Sequence, residues 1–73
     1  MTHDEIKTEI EKLNATQRSV MRSIWNGRGI SKVFVSVLPF GSVIVRVCSP
    51  KGIWLVVELG PKGGIKSKVF QLL

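Results

Sequence analysis

The sequence predicts an α+β domain of one N-terminal amphipathic helix packed on a four-stranded antiparallel meander sheet, and three observations carry that expectation. Apolar residues recur at helical spacing as far as Trp25, the period switches to alternation after Ser31, and three short breaks rich in glycine and proline divide the alternating half into four runs. The 73 residues make one small domain, residues 1–73. At this length folding hides only about 60% of the surface that the unfolded chain exposes, so the core must be dense. An apolar content of 44% and a positive mean hydropathy allow it.

Thr2 and Glu5 have the spacing of a capping box, and Ile6, Ile10, Leu13, Val20 and Ile24 follow at steps of three, four or seven. The stripe stays in phase through Asn14, Ala15 and Thr16, which favours one helix from about His3 to Trp25. Asn14 and Gln17 nevertheless have the spacing that would cap a second helix. Asn26, Gly27 and Gly29 supply left-handed residues to end it.

Strands are expected over residues 32–38, 43–48, 53–59 and 65–72, separated by Pro39–Ser42, by SPKG (49–52) and by GPKGG (60–64). Links this short join antiparallel neighbours, which gives a meander. The register that suits these loop lengths puts Phe34, Ser36 and Leu38 on one face with Val43, Val45 and Val47. Trp54, Val56 and Glu58 then lie opposite residues 47, 45 and 43, and Lys66, Lys68 and Phe70 lie opposite Glu58, Val56 and Trp54. The other face, with Val33, Val35, Leu55, Val57 and Leu59, is nearly all aliphatic and is where the helix should pack. Arg46 falls on that aliphatic face, where a charge needs a carboxylate or carbonyl partner.

The net charge of +6 is unevenly placed. Residues 1–13 hold four acids and two bases, −2, whereas the remainder hold nine bases and Glu58, +8. The basic part of the chain suits a polyanionic partner. The stretch GPKGGIKS, residues 60–67, resembles the phosphate-binding pattern G-x-x-x-x-G-K-[ST], but Ile65 stands in place of the second glycine. Only six residues follow Ser67, and they alternate as a strand instead of opening the helix that such a loop requires. The stretch therefore reads as a hairpin turn.

No Ser/His/Asp or Cys/His grouping can be assembled from one histidine, one aspartate and one cysteine, so no catalytic residues, metal or cofactor are expected. Cys48 reads as a small buried hydrophobe. The acidic N-terminus does not look like a secretory leader, and the run from Val33 to Val47 is broken by Pro39, Gly41 and Arg46 and does not read as a membrane span, so a reducing, cytoplasmic setting is expected.

The functional expectation rests on aromatics beside lysines on an open sheet. Lys62, Lys66 and Lys68 are the candidate phosphate contacts, Trp54 and Phe70 the candidate stacking rings, and Arg18 and Arg22, four apart on the helix, a second basic edge. Single-stranded RNA or DNA is the expected partner of a non-catalytic binding domain. The alternative is a protein-interaction, inhibitor or regulatory module, homodimeric through the same apolar face.

Overall fold

The computed structural model describes residues 1–72, folded as an N-terminal helical region on a four-stranded antiparallel sheet. The helical region is two helices, α1 (His3–Ile10) and α2 (Ala15–Trp25), in place of the single helix expected. Asn14 explains the break. Its backbone is extended, its side-chain oxygen accepts from the Gln17 N–H at 2.8 Å, and the Gln17 side chain accepts from the Asn14 N–H at 3.0 Å. This is the same reciprocal cap that Thr2 and Glu5 make for α1. At the other end Asn26 is left-handed at φ 54°, and Arg28 donates to the carbonyls of Ile24 and Trp25.

The strands are β1 (Lys32–Val37), β2 (Val43–Cys48), β3 (Ile53–Leu59) and β4 (Ile65–Leu72), in spatial order β1-β2-β3-β4. Their register departs from the expected one by one residue at each link. Val37 lies opposite Val43, Cys48 opposite Trp54, and Trp54 opposite Gln71. A one-residue slip moves side chains to the other face. In the first link the Leu38 N–H donates to the Ser42 carbonyl at 2.8 Å and the loop contracts to a 3₁₀ turn, Pro39–Gly41, with Phe40 and Gly41 at φ 66° and 85°. In the second, Ser49 still pairs with Ile53 and the turn contracts to Pro50–Gly52, with Gly52 at φ 88°. In the third, a bulge sets two steps of β4 against one of β3, with Lys66 the extra residue.

Val43, Val45 and Val47 consequently join Val33, Val35, Leu55, Val57 and Leu59 on the helix side, and all eight are buried. Leu13, Met21 and Trp25 close this core from above, with Ile6, Ile10, Val20 and Ile24 partly buried against it. The uncovered face instead carries Phe34 and Ser36 of β1, Ile44 and Arg46 of β2, and Trp54, Val56 and Glu58 of β3. Two slips cancel, so Phe34 and Trp54 remain on one face. The third does not cancel, so Lys68 and Phe70 lie on the helix side, across from Val57 and Leu55.

The two sheet edges differ. α1 packs along β1, where the Val35 N–H donates to Glu9 Oε1 at 3.0 Å and the Val33 N–H meets Met1 Sδ at 3.3 Å. The Lys12 ammonium, 2.6 Å from Glu9, and then this Val35 N–H hold the Glu9 carboxyl below its ordinary pKa. At the opposite edge all eight residues of β4 are exposed.

Candidate nucleic-acid interface

Two amides of the hairpin turn at Gly60–Gly64 are bonded within it: the Gly60 N–H donates to the Gly64 carbonyl and the Gly63 N–H to that of Gly60. Gly63, at φ +83°, is also a packing glycine. A Cβ there would sit 2.9 Å from Thr16 Cγ2 and 3.0 Å from Val20 Cγ2, so this residue lets α2 lie on the turn. The glycines that resemble a phosphate loop thus serve a turn and a helix contact.

The seven candidate residues do not form one surface. Lys62 is exposed in the turn, and Lys66 projects from the bulge, where its Nζ donates to Ser42 Oγ at 3.0 Å and lies 3.9 Å from Glu58 Oε2. Lys68 and Phe70 sit on the helix side of β4, while Trp54 is half-buried on the opposite face. Phe70 is covered in part by Arg28, whose guanidinium lies 5.1 Å from its ring centroid and 5.6 Å from that of Trp25. Arg18 and Arg22 are exposed on α2 and border a groove between the two helices.

Arg46 is the clearest correction. It does not stand on the aliphatic face and has neither a carboxylate nor a carbonyl partner among the described residues. It is exposed in the middle of the uncovered face, with its guanidinium 5.2 Å from the centroid of the Phe34 ring. Such a separation permits a cation–π contact, which costs the guanidinium little of its hydration at an open site. Phe34 is opposite Arg46, and the next row of the same face holds Lys32, Cys48, Trp54 and Gln71. Two rings and two cations therefore share the open sheet. Glu58, the one acid on it, faces the Lys66 ammonium. Cys48 is buried within its row, its thiol donating to the Ser49 carbonyl.

Arg28 and Phe40 were missed as functional candidates when the chain was read as a sequence, Phe34 was placed on the candidate face without a contact of its own, and Arg46 was read as a paired charge. For Arg46 a signal existed: a lone arginine in an apolar strand belongs on the solvent side, and giving it that side corrects the register of β2. Phe40 had no such signal. It lies in the loop after β1, 97% exposed and at positive φ, beside the β3–β4 turn that carries Lys62.

Among the described residues no three His, Cys, Asp or Glu side chains gather as a metal site requires, and no helix is long and apolar enough to cross a membrane. Comparison with known protein families, with curated proteins and with solved structures finds no match for this chain.

Proposed function

We propose that this chain is a non-catalytic domain that binds single-stranded nucleic acid on the uncovered face of its sheet. The observation that carries the reading is the Arg46 guanidinium held 5.2 Å over Phe34 at the centre of that face. A base can stack on an exposed ring or on a planar guanidinium, and the same cation meets the phosphate beside it. Trp54 and Lys32 in the adjacent row extend the platform, and the charge of +8 carried after Leu13 draws a polyanion from a distance. Lys62, Lys66 and Phe40, at one end of the sheet, are a second set of contacts for a strand that runs off the platform.

Fluorescence anisotropy with a mixed pool of single-stranded oligonucleotides tests this. Arg46→Ala is expected to lower the slope of log affinity against log salt by about 0.7, because one fewer counterion is released. Phe34→Ala and Trp54→Ala are expected to weaken binding by about 1 to 3 kcal/mol each at nearly constant slope, since a ring displaces no counterions. Phe70→Ala, on the other side of the sheet, leaves affinity unchanged. A wild-type protein that fails to bind at low salt sinks the reading, and a loss confined to Phe70→Ala moves it to the wrong face.

A second reading, a dimeric interaction module, is favoured by the state of β4. β1 has two of its outward N–H groups, those of Val33 and Val35, occupied by Met1 and Glu9, whereas β4 presents an eight-residue edge with Val69, Phe70 and Leu72 exposed. Open edges of this kind pair with other strands unless they are blunted, and Lys66, Lys68 and the bulge are blunting devices on the same strand. Light scattering at tens of micromolar decides the balance. Pairing through β4 gives twice the chain mass of 8.1 kDa and returns to one chain in Val69→Lys. A monomer in the wild type removes this reading and leaves the first untouched.

A further inference from the structure

The helix side of the molecule holds a feature that neither reading uses. Between α1 and α2 lies a groove of about 590 Å³ whose walls are Ile6, Ile10, Met21 and Trp25 and whose floor is formed by Val33 and Val47. Its size falls within the range of small-molecule sites, which are mostly apolar with a few polar groups that orient the ligand. The polar groups here are few, and the two arginines are the charged ones. Arg18 and Arg22 line the groove from exposed positions one turn apart on α2, and His3 stands on α1. Neither arginine has an ion-pair partner among the described residues, where the only pairs are Glu9 with Lys12 and Glu58 with Lys66.

We infer that this groove binds a single-chain anionic amphiphile of the fatty-acid type, its carboxylate on Arg18 and Arg22 and its alkyl chain along the floor between the helices. The two halves of the groove select the two halves of such a ligand. A neutral alkane leaves both guanidinia unused, and a small anion such as acetate leaves the aliphatic walls in contact with water. Guanidinium groups also suit the partner, because their planar donors match a carboxylate two bonds at a time. The site faces away from Phe34 and Arg46 and is independent of nucleic-acid binding.

Trp25 lines the groove and Trp54 is on the far face, so the Trp54→Phe protein carries a single indole that reports on this site. Linear carboxylates from octanoate to hexadecanoate, each kept below its critical micelle concentration, are titrated against Trp25 emission. Each added methylene is expected to tighten binding by about fourfold until the groove is filled, the value that corresponds to burying one methylene. The primary alcohol of the same length is expected to bind at least tenfold more weakly, because it lacks the charge-assisted bonds. Arg18→Gln with Arg22→Gln erases that difference between acid and alcohol. Both residues are exposed, so an unchanged melting midpoint in the double variant separates lost binding from lost folding. A Trp25 signal that is absent below the micelle concentration overturns the inference. So does one that ignores chain length, or one that survives the double variant with acid still preferred over alcohol.

Discussion

Gln17→Ala is expected to lower stability by about 3 kcal/mol, a fall in the melting midpoint of roughly 15 °C for a domain of this size. Gln17 is 1% exposed, the largest of the buried polar residues beside Ser42 and Ser49. Its amide nitrogen donates to the carbonyls of Gly41 and Gly60, each at 3.0 Å, and its amide oxygen accepts from the Asn14 N–H. One side chain therefore ties the start of α2 to the β1–β2 loop and to the β3–β4 turn, and Asn14 adds a bond from its Nδ2 to the Pro61 carbonyl at 2.8 Å. Truncation removes the three side-chain bonds of Gln17 and leaves the Gly60 carbonyl unpaired where water has little access. Thermal unfolding followed by circular dichroism measures the loss. A shift under about 3 °C, less than 1 kcal/mol on the same scale, would mean that water replaces the amide and that the hub is not structural.

Gln17→Glu separates hydrogen bonding from shape, since the two side chains have nearly the same outline. An ionised carboxylate has no proton to offer the Gly41 and Gly60 carbonyls and is repelled by both, whereas the protonated acid donates to one of them. The folded state thus holds this carboxyl above its ordinary pKa of about 4.3. With the folded pKa raised, the folded state binds more protons than the unfolded one between the two values, and stability falls as pH rises through that window. The variant is expected to be weakest at neutral pH and to recover toward pH 4. A variant equally unstable at pH 4 and pH 7 contradicts the geometry.

The other large effect belongs to Leu55. It is completely buried in β3, across from Val47 on one side and Phe70 on the other. Leu55→Ala is expected to cost about 2 to 5 kcal/mol, from lost transfer energy and the cavity left behind. A domain of this length has a total stability of about 4 to 11 kcal/mol, so the variant loses a large share of it. Val56→Ala is the control. Its side chain points to the uncovered face, half-buried beside Arg46, and its removal should cost about 1 kcal/mol or less. Urea denaturation of both proteins reads the difference, and equal losses would show that the two faces of β3 are equally packed.

Much of this architecture is written locally. The caps of both helices, the left-handed stop at Asn26 and Gly27, and the three turns depend on residues within a few positions of one another. Asn14 and Gln17 even had the spacing of a second cap. The apolar stripe could not reveal that the chain would use it, because a stripe in phase suits one helix or two. In the folded chain that local cap is reinforced from afar, because Asn14 and Gln17 also donate to the carbonyls of Pro61, Gly41 and Gly60.

The candidate site was less legible for a related reason. β2 reads VIVRVC, with apolar residues at odd and even positions alike, so alternation does not say which set faces the helices. β4 has one lysine in its bulge, another two residues on, and no buried residue at all. The register of such strands is set by their turns and bulges: the first two turns are one residue shorter than the simplest count, and in the third link the turn has the expected length while the bulge at Lys66 makes the slip.

By itself the sequence determined the element types, their order, the antiparallel meander and the basic character of everything after Leu13, because these follow from periodicity, capping, short connections and charge. Tertiary structure alone decided which face each strand turns to the helices, and with it the separation of Trp54 from Phe70 and the meeting of Arg46 with Phe34. The physical reason is that a strand with two apolar faces is nearly indifferent to a one-residue slip in isolation. The slip becomes costly only when helices cover one face and a loop of definite length, with Phe40 and Gly41 at positive φ, fixes where pairing begins.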